Sequence, residues 1–232
     1  MYPFYLYDPT WVLMIPAIIL GIWAQINVKS TFKKYSEIYN RFGYTGATAA
    51  RKILDMNGLY NVEIERVAGE LSDHFDPKAN VVRLSEATYN SQSVGAIGVA
   101  AHEVGHAIQY ATGYSPIKVR NIIVPAVNVC NFLSIPILII GAIFAAFNFL
   151  IDIGIILFSA TVLFQLITLP VEFNASNRAI ATLASQNMLA DDEIVGAKKV
   201  LKAAALTYVA ATISSIISLL RIILIFGGRR RD

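Results

Sequence analysis

Four stretches of the chain, residues 11–26, 122–147, 153–171 and 203–226, carry almost no charge. At 1.5 Å per helical residue, each is long enough, or nearly so, to cross the ~30 Å hydrocarbon core of a bilayer. The first is the shortest, and Tyr2, Phe4, Tyr5 and Tyr7 extend it as an interfacial aromatic belt. Arg221 interrupts the fourth, near enough to its end for the side chain to snorkel towards headgroups. A soluble fold of 232 residues has too little interior to bury four such helices. The pattern therefore predicts a membrane protein. The first stretch lacks a basic leader and a small-x-small cleavage site, since Gln25-Ile26-Asn27 runs straight towards Lys29. It reads as a retained anchor.

Two polar stretches remain, 27–121 and 172–202. In the first, residues 45–58 have a helical apolar rhythm, with Thr45 as N-cap and Asn57-Gly58 as stop signal. Residues 62–67 alternate with period two, as a half-buried strand does. A strand pair follows at 71–75 and 81–84, joined by the turn Asp76-Pro77-Lys78-Ala79-Asn80. From Ser93 the chain is Ala- and Gly-rich and helical as far as Gly113, with Pro116 just beyond. The expected fold is an α+β integral membrane protein with about four transmembrane helices and a small unit built from one long helix and a short antiparallel sheet. Its divisions are an anchor (1–26), a catalytic unit (27–121), a transmembrane hairpin (122–171), a helical segment (172–202), and a C-terminal transmembrane helix with a basic tail (203–232).

Composition narrows the classes. Apolar residues make up 56% and charged residues only 15%, so the bulk of the chain needs an apolar environment. Cys130 is the only cysteine and lies inside the second apolar stretch, which excludes an intramolecular disulfide and a cysteine-based zinc site. The net charge of +3 is gathered mostly near segment ends, and no Lys/Arg stripe interleaves with aromatics. That distribution suits a bilayer neighbour and sets nucleic acid aside. Lys29, Lys33, Lys34, Lys118, Arg120, Lys198, Lys199 and Lys202 flank the spans on the side that carries both polar stretches. The opposite side has Arg229, Arg230 and Arg231. The positive-inside rule then expects a multi-pass protein of the cell membrane whose polar unit faces the cytoplasm.

The chemistry is concentrated at His102-Glu103-Val104-Gly105-His106, an HExxH sequence. Chance produces one in a chain of this length roughly once in a hundred. Residues four apart stand on one helix face, so two imidazoles can converge on one metal ion. Glu103 then sits ~100° round the helix, where it can serve a metal-bound water as base without being a ligand. A catalytic zinc site needs a third protein donor, and the extended HExxHxxGxxH pattern is absent. His74 and the carboxylates are candidates. Glu172 follows Pro170 at the end of the third apolar stretch and opens an Ala-rich helical run. Position alone leaves it either a ligand from a second helix or a lone carboxylate marking the end of a span.

The whole chain resembles the YugP-type membrane zinc metallopeptidases, also called neutral zinc metallopeptidases. The matching words are Tyr7-Asp8-Pro9-Thr10, Leu71-Ser72-Asp73-His74-Phe75-Asp76-Pro77, the run from Val99 to Gln109, the run from Leu169 to Ser176, and the run from Ala203 to Ala210. More distantly the chain is similar to the HtpX-like and prenyl-protein (CAAX) proteases. There a glutamate in an ExxAD-like motif on a later helix is the third ligand, and Glu172-Phe173-Asn174-Ala175 matches it. The resemblance thus implies zinc held by His102, His106 and Glu172 in a zincin-like unit. One departure is Ser176, where the HtpX-like pattern has an aspartate backing a ligand histidine. Asn174 and Asp73 are the candidate substitutes.

The function expected is zinc-dependent hydrolysis of peptide bonds within a membrane protein, with one Zn2+ and Glu103 as general base. A peptide or a membrane protein is the expected substrate. The strand pair ahead of the motif offers an edge for an extended peptide. His74 or Arg178 is the candidate stabiliser of the transition state or a backing group. The competing classes are a zinc-stabilised membrane scaffold or adaptor and a hydrolase of non-peptide bonds.

Overall fold

The computed structural model describes residues 9–69 and 71–227. Tyr2, Phe4, Tyr5, Tyr7, Asp8 and the basic run 229–231 lie outside them. The elements, in order, are α1 (Trp11–Ser36), α2 (Gly46–Met56), β1 (Glu63–Val67), β2 (His74–Asp76), β3 (Val81–Ser85), α3 (Glu86–Tyr89), α4 (Val94–Ala111), α5 (Ser115–Ile143), α6 (Phe149–Ser185) and α7 (Asp191–Gly227). A short 3-10 turn, Ala145–Phe147, joins α5 to α6. Helices α1, α5, α6 and α7 are each long and apolar enough to cross a membrane. They expose Trp11, Ile19, Phe132, Ile139, Ile156, Leu163 and Leu224 among other large apolar side chains. Such surfaces suit hydrocarbon, not water.

The polar stretches do not begin with new helices. At 37 residues each, α6 and α7 are ~55 Å long, well beyond the hydrocarbon thickness. Pro170 sits inside α6 without ending it, so Glu172 lies on a helix that continues unbroken from an apolar stretch.

The chain forms two compact units. One comprises Met1–Ala24, Val119–Thr168 and Thr207–Asp232. Within it, Gly141 and Gly154 let α5 and α6 approach closely, since a β-carbon at Gly154 would lie 2.5 Å from Leu138 Cγ. Arg221 finds polar company there. Its guanidinium stacks 4.6 Å from the Trp11 ring centroid, and its Nε donates to Thr10 Oγ1 at 3.2 Å.

The other unit comprises Gln25–Lys118 and Leu169–Leu206. Its core gathers Ile53 and Leu54 of α2, Val82 and Leu84 of β3, Ile97 and Val104 of α4, Leu183 of α6 and Val200 of α7, all buried. Helix α2 starts at a capping box between Thr45 and Thr48 and is capped at its far end by Asn57, with Gly58 at φ +71°. Helix α4 starts at Ser93, whose hydroxyl accepts from the Ala96 amide, and stops before Gly113 at φ +71°.

The sheet departs from the all-antiparallel expectation. Its order is β1-β3-β2, with β2 antiparallel to β3 but β1 parallel to it. The hairpin strand β2 is also shorter than expected. Leu71 takes φ +55°, and the Asp76 carboxylate accepts from the Lys78 and Ala79 amides, turning the chain at once. Arg83 on the central strand ties both neighbours, donating from Nε to Glu65 at 3.0 Å and from Nη1 to Asp76 at 2.7 Å. That bond is the chief cause holding the Asp76 carboxyl at about 2, with the two turn amides adding to it.

What positions the motif is the contact of α4 with α6. A β-carbon at Gly105 would lie 2.7 Å from the Ala175 carbonyl oxygen and 3.2 Å from its Cα. Backbone atoms cannot yield as a side-chain tip can. A Gly105→Ala substitution gains up to ~1 kcal/mol of helix propensity but forces the helices apart, at a typical cost of ~1–3 kcal/mol for overpacking. The expected outcome is a lower unfolding temperature in detergent, followed by circular dichroism. An unchanged or raised temperature would show that α4 and α6 are not in this contact.

Candidate metal centre

Helix α4 places His102 and His106 one turn apart, with ring centroids 4.7 Å from each other. Helix α6 brings Glu172 between them. His102 Nε2 lies 3.3 Å from Glu172 Oε2, and His106 Nε2 lies 3.6 Å from the same oxygen. The three residues offer ligand atoms that all lie within 4.8 Å of one another.

These spacings can be tested against a metal. Four donors set tetrahedrally at ~2.1 Å from an ion are separated by ~3.4 Å along each edge. The two contacts to Glu172 match that edge within a few tenths of an ångström. Two imidazoles and a carboxylate are also the donor set suited to zinc with one position open. The residues therefore fit such an ion.

The rings are oriented from behind. His106 Nδ1 is 3.0 Å from Gln109 Oε1, and Gln109 Nε2 donates to the Val171 carbonyl at 2.8 Å and to Asn174 Oδ1 at 3.0 Å. Both amide hydrogens are thereby used, which leaves Oε1 to accept from His106 Nδ1. That tautomer keeps the lone pair of Nε2 turned towards Glu172. His102 is backed by Ser176, with Oγ 3.1 Å from Nδ1. Ser176 thus performs the backing contact itself. Asp73 is engaged elsewhere, accepting from the Ser85 amide and hydroxyl, and Asn174 meets Gln109 and not an imidazole.

The charge environment favours a cation at this point. Burial is the largest influence on His106 and opposes its charged form, but the Glu172 carboxylate, then the Glu103 charge, outweigh it and raise the pKa. Glu172 itself is 2% exposed. Glu103 lies on α4 between the histidines, largely buried.

The other two candidates are not among the three clustered donors. His74 is exposed on β2, its Nδ1 2.8 Å from the Ser72 carbonyl. Arg178 is half-buried on α6 and donates from Nε to Asn174 Oδ1 at 2.8 Å. Gln109 is the residue that sequence reasoning passed over. Its signal was available, since a glutamine three residues after His106 shares its helix face and lies in an otherwise apolar run.

Residues 10–227 match the family described as "Putative neutral zinc metallopeptidase". The chain is 51% identical over 220 residues to the "Putative membrane protease YugP" of Bacillus subtilis (strain 168), covering 95% of this chain and 97% of that protein. No solved structure matches. A matched region that takes in all four apolar helices and the whole histidine–glutamate cluster leaves one assignment: the chain belongs to this family of neutral zinc metallopeptidases of the membrane.

Proposed function

We propose that the protein is a membrane-embedded zinc metallopeptidase in which His102, His106 and Glu172 hold one Zn2+ and Glu103 is the general base. The observation that carries this reading is the convergence of two imidazole nitrogens on one carboxylate oxygen, at 3.3 and 3.6 Å. When bound, zinc supplies Lewis acidity to the scissile carbonyl and brings the pKa of a water towards neutrality. Glu103 accepts the proton of that water on its carboxylate and delivers it to the leaving amine nitrogen. Gln109 and Ser176 hold the imidazole Nδ1 atoms, so both Nε2 lone pairs stay on the donor side. Arg178 acts through Asn174 on Gln109, as a positioning residue.

Strand β2 is an edge strand, which supports the reading that an extended peptide adds to it. The substrate is then a peptide segment of a soluble or membrane protein, and the bilayer is the second partner.

Glu103→Gln is expected to abolish cleavage of a quenched-peptide library while the purified protein keeps one zinc, as read by elemental analysis. Near-normal turnover in the zinc-loaded variant would end the proposed mechanism. That assay also separates a peptidase from a scaffold and from a hydrolase of other bonds.

Glu172→Ala is expected to lose both zinc and activity, with Glu172→Asp between it and the parent. Groups behind the ligands are typically worth 10–100-fold in metal affinity, so a ligand should cost more than about a hundredfold. The same titration on Gln109→Ala should show about tenfold weaker zinc binding. An alanine variant at Glu172 with undiminished zinc would remove this residue from the ligand set.

The lysines that flank the spans support a cytoplasmic catalytic unit. Lys78 is exposed in the turn after β2. A Lys78→Cys variant should resist an impermeant thiol reagent in intact cells and react after permeabilisation. Labelling in intact cells would reverse the orientation.

A further inference from the structure

Helices α1 and α7 flank an open cavity of about 280 Å3 lined by Asn27, Thr31, Lys34, Tyr35, Lys199, Lys202, Ala203 and Leu206. Three cations, Lys34, Lys199 and Lys202, converge on it, and no carboxylate lines it. Among the described residues none of the three forms a salt bridge, although other surface cations do, such as Arg41 with Asp192 and Arg66 with Glu86. Lysines this close together repel one another unless an anion is shared between them.

The position along each helix says what kind of anion. Asn27 directly follows the first apolar stretch, and Ala203 opens the fourth. By helix geometry the cavity is therefore at the level where both helices leave the apolar layer. Leu206 supplies an apolar wall on the side nearer that layer, and Asn27 and Thr31 supply polar groups on α1. We propose that this cavity binds the phosphate of an anionic phospholipid headgroup, with Lys34, Lys199 and Lys202 as its counter-charges. A free phosphate offers the same charge but no use for Leu206 or for the interfacial level.

The cavity floor is connected to the catalytic unit's main helix. Tyr35 is 8% exposed, and a β-carbon at Gly196 would lie 2.7 Å from its ring. A β-carbon at Gly95, in the first turn of α4, would lie 3.2 Å from the Tyr35 carbonyl carbon. Filling the cavity should therefore stabilise the packing of α1, α4 and α7 together and raise the unfolding temperature.

The test uses the full-length protein in neutral detergent, with thermal unfolding followed as phosphatidylglycerol is added. A saturable rise is expected that phosphatidylcholine does not give. Lys34→Gln/Lys199→Gln/Lys202→Gln should need at least about tenfold more phosphatidylglycerol for half-effect, since each lysine near an anionic surface contributes appreciably. The control Lys29→Gln/Lys33→Gln/Lys198→Gln removes the same charge from the same helices outside the cavity and should retain the response. Thr31→Phe, which fills the cavity and keeps all three lysines, should lose it. Equal loss in both triple variants, or a full response in Thr31→Phe, would reduce the effect to general surface charge and overturn the site. A rise of the same size with inorganic phosphate at matched ionic strength would overturn the lipid as its source.

Discussion

Everything at the candidate metal centre depends on how closely α4 can lie against α6. The histidines and Glu172 are separated by two apolar stretches of sequence, and only direct backbone contact between these helices brings them within a tetrahedral edge of one another. Gly105 permits that contact because it has no β-carbon to meet the Ala175 carbonyl. It sits between the two histidines, so the point of closest approach is also the point where the donors must meet. Ala175, small and fully buried on α6, completes the fit from the other side. The same approach places Gln109 within reach of Val171 and Asn174, so one packing contact serves both the donors and the groups that orient them.

The site is polar within a largely apolar setting, and its cost is offset by pairing. Glu172 and His106 are both buried, a placement that is unfavourable for either alone. The Glu172 carboxylate faces both imidazole Nε2 atoms, and a divalent cation held between them would offset its charge. The buried glutamine follows the same logic. Its oxygen and both of its amide hydrogens are used, so its burial fixes an imidazole instead of leaving an orphaned amide.

Much of this was legible in the sequence where a local signal was strong. Thr45 and Ser93 cap their helices, and Gly58 and Gly113 take the left-handed conformation that ends them. Four apolar runs correspond to four long helices. Three things were not legible. Period-two alternation identifies strands but carries no direction, so the parallel pairing of β1 with β3 could not be read. Pro170 looked like a boundary because proline usually ends a soluble helix, yet in α6 it is passed without a break. The backing of the imidazoles depends on which side chains meet across two helices. Ser176, Asn174 and Asp73 were therefore indistinguishable until α4 and α6 were placed together.

Two imidazoles and one carboxylate, drawn from α4 and α6, are proposed to hold a single zinc ion with one position open. Zinc K-edge X-ray absorption on the purified full-length protein tests this arrangement most directly. One zinc per chain is expected, with a first shell of four nitrogen or oxygen donors at ~2.0–2.1 Å and outer-shell scattering from two imidazoles. A shell containing sulfur, a third imidazole, or no zinc retained at one equivalent would contradict it.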